Sequence, residues 1–267
     1  MFSIDRKVNS VEVCIATMNN TLSNEQMFEK MNLQTDVIIG NQCDQYKFVC
    51  SKVGFHNVKR IDTAERGVGL NRNNAWMRSS ADIVLFADDD MRYYDGYERV
   101  VLKLFNTNPK ADIIVFNIDE RQSSRKRTIR AHYTKKTGYG AVRIAVRRLS
   151  AQMHGISFNL HFGGGTEYSF GEDSLFLSKC IKEGLHVLVV PESIAYLEDG
   201  RDSTWFKGYN DKYYFDTGVL LAACEVKFPV LKLLIKRFRM KKNEKTNRLG
   251  VHEIKKILEG IKHYTNF

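Results

Sequence analysis

The chain has 267 residues, 43% of them hydrophobic, which suffices for one large α/β domain or two smaller ones. Lysine and arginine outnumber aspartate and glutamate by 41 to 31, and the net charge of +10 favours an anionic partner such as a nucleotide, a nucleic acid or an anionic membrane. Five scattered cysteines without a C-x-x-C pair argue against a zinc site and a disulfide framework. No stretch approaches the roughly 20 apolar residues of a transmembrane helix, so we expect a soluble or peripheral protein, and the scattered cysteines fit a reducing cytoplasm.

Short apolar runs alternate with helix-like segments along the chain. Strands are predicted at residues 11–15, 36–40, 58–61, 83–86, 112–118, 141–146 and 185–190, and helices at 72–80, 97–105 and 173–184. Pro191 is expected to end the last strand. This alternation predicts an α/β fold with a mostly parallel central sheet flanked by helices, and ligands at the carboxyl ends of its strands.

Three consecutive carboxylates, Asp88, Asp89 and Asp90, follow the strand predicted at 83–86. Adjacent carboxylates raise one another's pKa unless a positive charge compensates them. A hard divalent cation such as Mn²⁺ or Mg²⁺ would do so and would keep coordination positions open for substrate phosphates. A solvated acidic turn is the plain alternative.

A second acidic pair, Glu172-Asp173, follows a glycine-rich turn at 163–165 and begins a predicted helix. Taken alone, the pair fits a helix N-cap. Together with the acidic strand end it indicates two tasks, metal-bound phosphate at one place and a general base for an incoming hydroxyl at the other.

Four motifs follow one another along the chain: Ala16-Thr-Met-Asn19, Gly67-x-Gly-Leu-Asn-Arg-Asn73, Phe86-Ala-Asp-Asp-Asp90, and Gly163-Gly-Gly165 with Gly171-Glu-Asp173. In this order and spacing they resemble family 2 glycosyltransferases of the GT-A fold. Ser203-Thr-Trp-Phe206 with Gly208-Tyr-Asn210 is similar to a signature of bacterial surface-polysaccharide members. The resemblance implies a GT-A catalytic domain over 1–218 and a basic amphipathic helical C-terminal extension over 219–267.

The resemblance further implies an inverting, metal-dependent hexosyltransferase. Its donor would be a nucleotide-diphosphate sugar, with UDP the commonest nucleotide in the family. Its acceptor would be a hydroxyl of a glycan or lipid-linked oligosaccharide in surface polysaccharide synthesis. Asp90 and Asp88 would bind Mn²⁺ or Mg²⁺, Asp173 would be the general base, and Glu172 would orient it or bind acceptor. Nucleotide-sugar contacts are assigned to Thr17, Asn19, Asn41, Arg72, Asp88, Asp89, Gly164 and Gly165.

Several of these assignments have alternatives. A surface ion pair is the alternative for Arg72, and an ordinary turn is the alternative for the glycines. Many relatives carry a histidine shortly before the Ser203 segment, but this chain reads Tyr196-Leu-Glu-Asp-Gly200. A third metal ligand is therefore open between Glu198, Asp199, His161 and water.

The segment 227–242 mixes leucines with seven basic residues, as in a helix that lies on an anionic membrane. That interpretation places the protein peripherally on the inner face of the cell membrane, whereas a packed helix or dimer contact fits the same pattern.

Three other functions are alternatives for this chain. A metal-dependent nucleotidyltransferase would share the strand-end aspartates, but no P-loop is present. Nucleic-acid binding is not expected because acidic clusters interrupt the basic surface. An inactive GT-A-like binding scaffold is the third.

Overall fold

The protein has an α/β architecture, seen in a computed structural model that describes residues 6–118, 128–130, 139–198, 206, 208–226, 229 and 250–266. The described strands are β1 Val11–Met18, β2 Asp36–Gln42, β3 Lys47–Val53, β4 His56–Thr63, β5 Ile83–Asp88, β6 Met91–Tyr93, β7 Ile113–Ile118, β8 Ile129–Arg130, β9 Ile144–Arg147 and β10 Val187–Leu197. The helices are α1 Asn24–Met31, α2 Val68–Trp76, α3 Tyr97–Thr107, α4 Arg148–Met153, α5 Glu172–Lys182, α6 Asp211–Ala223 and α7 Val251–Thr265.

The described strands form one sheet in the order β3-β4-β2-β1-β5-β9-β7-β10-β6, and β8 pairs with β10. β4, β2, β1 and β5 run parallel, as do β7 and β10. The β3–β4, β5–β9, β7–β9, β10–β6 and β10–β8 pairings are antiparallel. The α/β class is confirmed, and the sheet is mixed, not wholly parallel. An apolar run shows that a strand is buried and does not encode its direction.

Helices cover both faces of the sheet, because alternate side chains of each strand point to opposite faces. Val13 and Ile15 of β1 pack in a core layer with residues of α1 and α3, such as Met27 and Phe105. Cys14 lies in the other layer, with residues of α2, α4 and α5. The central strands are thus buried on both faces, which explains their near-continuous apolar sequence.

Several predicted element boundaries differ from the structure. The strand predicted at 141–146 is a 3₁₀ turn over Ala141–Arg143 followed by β9. β10 continues through Pro191 to Leu197, because its register with β7 shifts between Val189 and Ser193, and such a bulge accommodates a residue without an N–H. α2 covers 68–76 rather than 72–80, since it begins directly after Gly67, whose φ of 122° favours glycine. The elements α1, β3, β6, β8 and α4 were not predicted.

The C-terminal helix α7 packs against α6 at two glycines. A Cβ on Gly218 would lie 2.0 Å from the Ile257 carbonyl oxygen, and one on Gly260 would lie 2.1 Å from the Phe215 carbonyl oxygen. The predicted boundary at residue 218 lies inside α6. The predicted membrane-facing segment 227–242 lies outside the described residues, apart from Pro229. None of the described helices combines the length and hydropathy needed to cross a bilayer.

Replacing Gly260 with alanine tests this close helix contact. Alanine gains about 1 kcal/mol in helix propensity, but the added methyl group must push two backbones apart. Overpacking costs about 1–3 kcal/mol, and a Cβ only 2.1 Å from a backbone oxygen argues for the upper end of that range, so we expect a net loss of about 2 kcal/mol in the free energy of unfolding, measured by urea denaturation. The exposed Lys262→Ala on the same helix serves as control and should change stability by less than about 0.5 kcal/mol. Equal stability of the two variants would contradict the packing.

Candidate active site

The carboxyl ends of four parallel strands meet at one edge of the sheet, where the predicted polar residues gather. Ala16 of β1 pairs with Asp88 of β5, and Thr17 of β1 pairs with Asn41 of β2. Asn41 in turn pairs with Asp62 of β4. This edge is where ligands bind in open α/β sheets.

Asn41 is the centre of a hydrogen-bond network on the β2 and β4 side of the site. Its side-chain amide donates to Asp62 Oδ1 at 2.8 Å, and its side-chain oxygen accepts from the Asn20 N–H at 3.0 Å. Arg60 donates to the Asn20 carbonyl at 2.6 Å and to Asp62 Oδ1 at 3.2 Å. Asn41 is buried, so it fixes the loop that follows β1.

Thr17 and Asp89 join the end of β1 to the acidic strand end. Thr17 Oγ1 donates to Asp89 Oδ2 at 2.7 Å, and the Asn20 side-chain amide donates to the same oxygen at 3.2 Å. Lys30 of α1 donates from Nζ to the Asp89 backbone carbonyl. Asp89 therefore orders the loop after β1, and its predicted contact with the nucleotide sugar stays a prediction.

Three other predicted donor-site residues lie in turns. Asn19 has a left-handed φ of 51°, and its N–H donates to the Gln42 carbonyl at 2.8 Å. The Gly164 carbonyl accepts from the N–H of Val68, the first residue of α2, at 3.0 Å. Gly165 is exposed and has a φ of 83°. The glycine-rich turn thus packs on the start of α2, and its approach to sugar or phosphate stays a prediction.

Asn71 fits the first turn of α2 against β1 and β2. Its side-chain amide donates to the Gly40 carbonyl at 2.9 Å and to the Thr17 carbonyl at 3.3 Å. A Cβ at Gly40 would lie only 2.2 Å from Asn71 Oδ1. The absence of a side chain at position 40 therefore sets how closely α2 approaches the sheet, and with it the position of Arg72.

Arg72 joins the two acidic motifs. Its Nη1 donates to Glu172 Oε1 at 2.6 Å, and its Nη2 donates to Asp88 Oδ1 at 2.8 Å. The side chain is only 4% exposed, and Cζ lies 5.6 Å from the ring centroid of Phe158. Burial lowers the pKa of Arg72, but the charges of Asp88 and Glu172 outweigh burial and hold that pKa above its ordinary value. The acidic strand end and the Glu172-Asp173 motif therefore lie side by side. The alternative for Arg72 was a surface ion pair, and the structure shows ion pairs that are buried at the guanidinium.

Glu172 is buried at the first position of α5, directly against the glycine-rich turn. A Cβ on Gly163, whose φ is 106°, would lie 2.8 Å from Glu172 Oε2 and 2.5 Å from a methyl group of Val68. A carboxylate at a helix N-terminus also interacts favourably with the helix dipole. The glycine turn thus leaves room for this carboxylate beside α2.

Asp173 is partly buried next to Glu172. Burial is the main reason that the pKa of Asp173 rises to about 7, and the negative charge of Glu172 raises it further. The N–H of Ser174 and the charge of Arg72 act in the opposite direction. A carboxyl group with a pKa near neutrality accepts and releases protons at physiological pH, which is what a general base requires.

The predicted metal ligands Asp88 and Asp90 lie at the end of β5. Asp88 is 39% exposed while it accepts from Arg72, and Glu198 donates its N–H to the Asp90 carbonyl at 3.0 Å. The backbone of Glu198 thus lies next to that of Asp90. These donors are all oxygen atoms, which suit Mn²⁺ or Mg²⁺ with coordination positions left for phosphate oxygens.

The other protein candidates for a third ligand are Asp199 and His161. Asp199 lies outside the described residues, and His161 Nδ1 is 4.0 Å from Glu167 Oε2 in the loop before α5. Within the described ranges, no three His, Cys, Asp or Glu side chains come together as a complete metal site.

Sequence reasoning missed Asp62, Arg60, Asn20 and Lys30. Asp62 directly follows the strand predicted at 58–61, and its position at a strand end was a usable signal. The other three carry no such signal, because their contacts with the site depend on how α1 and the loop after β1 pack.

The family model "Glycosyl transferase family 2" matches residues 14–167, more than half of the chain. This chain belongs to glycosyl transferase family 2. The match includes the aspartates after β5 and the glycine-rich turn, and it ends before Glu172 and Asp173. The resemblance seen in the sequence motifs and the expectation of a glycosyltransferase are confirmed.

Solved glycosyltransferases share the fold. A structure of S. aureus TarS 1–349 in complex with UDP-GlcNAc has a TM-score of 0.64 and 13% sequence identity, with 96% of this chain and 80% of that chain covered. A further TarS structure has a TM-score of 0.62 and 13% identity, with 97% and 49% covered. The mannosyltransferase PcManGT from Pyrobaculum calidifontis, in complex with GDP-Man and Mn²⁺, has a TM-score of 0.54 and 13% identity, with 95% and 69% covered. No curated protein matches the chain. The GT-A fold is confirmed.

Replacing Arg72 with glutamine tests the role of the buried ion pairs. The variant leaves Glu172 buried without its cation, and breaking a buried pair on one side costs about 3–5 kcal/mol. We expect a loss of that size in the free energy of unfolding, measured by chemical denaturation. Arg66 pairs with Asp44, a side chain that is 92% exposed, so Arg66→Gln is the control and should cost no more than about 1 kcal/mol. Similar losses in both variants would show that Arg72 does not hold the site together.

Proposed function

We propose that this family 2 member is an inverting, metal-dependent hexosyltransferase. It would move a sugar from a nucleotide-diphosphate donor, a UDP-sugar in the first instance, to a hydroxyl of a glycan or lipid-linked oligosaccharide. The observation that carries the proposal is the pairing of Arg72 with both Asp88 and Glu172, because it brings a strand-end carboxylate beside the helix that bears Asp173. The carboxylate proposed to act on the donor then lies close to the helix that bears the proposed base.

The donor side is assigned to the edge formed by β1, β2 and β5. Asp90 and Asp88 would hold Mn²⁺ or Mg²⁺ together with the donor diphosphate, and Glu198, whose N–H donates to the Asp90 carbonyl, is a candidate for a further oxygen ligand. Such a cation, when bound, stabilises the negative charge that develops on the departing diphosphate. TarS in complex with UDP-GlcNAc and PcManGT in complex with GDP-Man and Mn²⁺ support a nucleotide-sugar donor for this chain as well. Thr17, Asn19 and Asn41 are the proposed contacts to base and ribose.

The acceptor side is assigned to the start of α5. Asp173 would take the proton from the acceptor hydroxyl as the new bond forms between the acceptor oxygen and the anomeric carbon. The bond from that carbon to the diphosphate oxygen breaks in the same displacement, so the configuration inverts. Glu172 is held by Arg72 at 2.6 Å, and we propose that it orients Asp173 and the acceptor. The pKa of about 7 leaves a substantial fraction of Asp173 ionised at neutral pH.

A screen of UDP-glucose, UDP-galactose, UDP-GlcNAc and GDP-mannose tests the proposal directly. With Mn²⁺ present, at least one donor should raise the melting temperature and be hydrolysed slowly, since water can take the place of the acceptor hydroxyl. Stabilisation without any turnover would favour the inactive scaffold. Neither stabilisation nor turnover by any of the four donors would overturn the proposal.

Asp90→Ala tests the metal assignment. Removing a carboxylate ligand should weaken binding of UDP in the presence of Mn²⁺ by about tenfold or more, while metal-free binding of UDP stays the same. Isothermal titration calorimetry with and without EDTA measures both. Asp95→Ala, at an exposed carboxylate that accepts from Asn32 and Gln34, is the control and should bind like the wild type. An Mn²⁺ effect of wild-type size in Asp90→Ala would refute the assignment.

Asp173→Asn tests the base assignment. The change keeps the shape of the side chain and removes the proton acceptor, so turnover should fall by about 10²–10⁴-fold while the affinity for UDP stays within about twofold. Because a base must be ionised and the pKa of Asp173 is about 7, wild-type turnover should rise as the pH rises through about 7, and the variant should lose this rise. Glu183→Gln, exposed just after α5, is the matched control. Wild-type turnover in Asp173→Asn would refute the assignment.

A further inference from the structure

Helix α6 carries a fully buried carboxylate that the proposed chemistry does not use. Asp216 is 0% exposed, and its two oxygens accept from Lys212 Nζ at 2.6 and 2.8 Å. Asp216 Oδ2 also accepts from the backbone N–H of Ser169 at 3.0 Å. A carboxylate so far from water requires such partners, because an unpaired buried charge is very costly.

Lys212 extends this pair to two more residues of the same loop. Its Nζ donates to the Glu167 carbonyl at 2.6 Å and lies 5.6 Å from the ring centroid of Tyr168. One ammonium and one carboxylate from successive turns of α6 thus contact Glu167, Tyr168 and Ser169. This stretch has no helix or strand of its own that would fix its backbone, apart from the single bridge of Tyr168 to Phe162.

The next two residues of the loop also rest on α6. The Phe170 ring lies 5.1 Å from the ring of Tyr213, and a Cβ on Gly171 would lie 2.6 Å from a methyl group of Leu220. Gly171 has a φ of 108° and is the N-cap residue of α5. The whole path from 167 to the start of the helix that bears Asp173 is therefore in contact with one face of α6.

The upstream end of the loop leads to α2. Tyr168 accepts through its carbonyl from the N–H of Gly163 at 2.8 Å, and the neighbouring Gly164 carbonyl accepts from Val68 of α2. A shift of the loop would therefore displace α2, which bears Arg72, and the start of α5, which bears Glu172. A misplacement of about 1 Å can lower an enzymatic rate by about 10²-fold.

We infer that Lys212 and Asp216 are positioning residues, which hold the 167–171 loop on α6 and thereby set the place of Asp173 for proton removal. The inference rests on the proposed function, in which Asp173 is the base. Neither residue touches the reacting atoms in this scheme. They act through the backbone of the loop, which the buried Asp216 and the half-exposed Lys212 both contact by hydrogen bonds.

The chain offers a matched control at a distant place. Glu12 is also a buried carboxylate, 3% exposed, and accepts from Ser79 Oγ at 2.6 Å and from the Ser80 N–H at 3.0 Å, with Lys59 Nζ at 3.7 Å. It lies near the amino end of β1, whereas the candidate site lies at the carboxyl end. Glu12→Gln thus removes the same kind of charge without touching the loop.

The test compares full-length Asp216→Asn, the neutral double variant Lys212→Gln/Asp216→Asn and Glu12→Gln. The kcat for hydrolysis of the screened donor that the wild type turns over fastest should fall by about 10²-fold in both Asp216 variants and by less than twofold in Glu12→Gln. The Kd for UDP with Mn²⁺ should stay within about threefold of wild type in all three, which separates misplaced base chemistry from general damage. Amide hydrogen exchange at 168–171 should become faster only in the Asp216 variants. The double variant covers the case in which the single variant fails to fold.

The possible outcomes distinguish failure of this inference from failure of the proposed function. A wild type that hydrolyses a donor, with Asp216 variants that match Glu12→Gln in kcat, overturns the inference and leaves the proposed function intact. Unchanged amide exchange at 168–171 in the Asp216 variants also overturns it. A wild type that hydrolyses none of the screened donors overturns the proposed function and with it the catalytic meaning of this ion pair.

Discussion

The buried guanidinium of Arg72 is the interaction on which the arrangement of the site depends. It compensates two carboxylates that come from two separate motifs, one at the end of β5 and one at the start of α5. Without it, Asp88 and the buried Glu172 would repel each other. The cation thus makes it possible for two acidic motifs, 84 residues apart in the sequence at Asp88 and Glu172, to lie next to each other. A long, planar donor with a fixed fork is the side chain best suited to bridge two such groups.

Helix α2 sets the place of that guanidinium through the residues around Arg72. Asn71 fastens the helix to the carbonyls at the ends of β1 and β2, and Asn73 exchanges two hydrogen bonds with the backbone of Phe158, each at 2.9 Å. Gly69 allows close packing, since a Cβ there would lie 2.4 Å from the Asn159 carbonyl oxygen. The side-chain amides of Asn71 and Asn73 are therefore backbone anchors. That role explains why these two amides lie inside a helix, which asparagine does not favour.

The sequence was a good guide where local pattern and burial coincide. The apolar runs ending at Asn41 and Asp88 identified parallel strands and the edge that carries the site, because burial on both faces leaves a continuous hydrophobic signal. It was a poor guide to β9, whose direction no pattern encodes, and to α1, whose Lys30 reaches Asp89 only in the folded chain. The contacts of Asp216 were equally invisible. A carboxylate in an amphipathic helix looks solvated until the loop that it binds is placed.

The contact between Gly40 and Asn71 has a consequence for how this protein can vary. The asparagine oxygen occupies the space that any larger residue at position 40 would need. The two positions are therefore coupled by volume, and neither can drift by itself without moving a whole helix. A natural variant with alanine at position 40 should carry a smaller residue at position 71 and lose the bridge between the two strand ends. Such paired changes would mark relatives in which α2 lies at a different distance from the sheet.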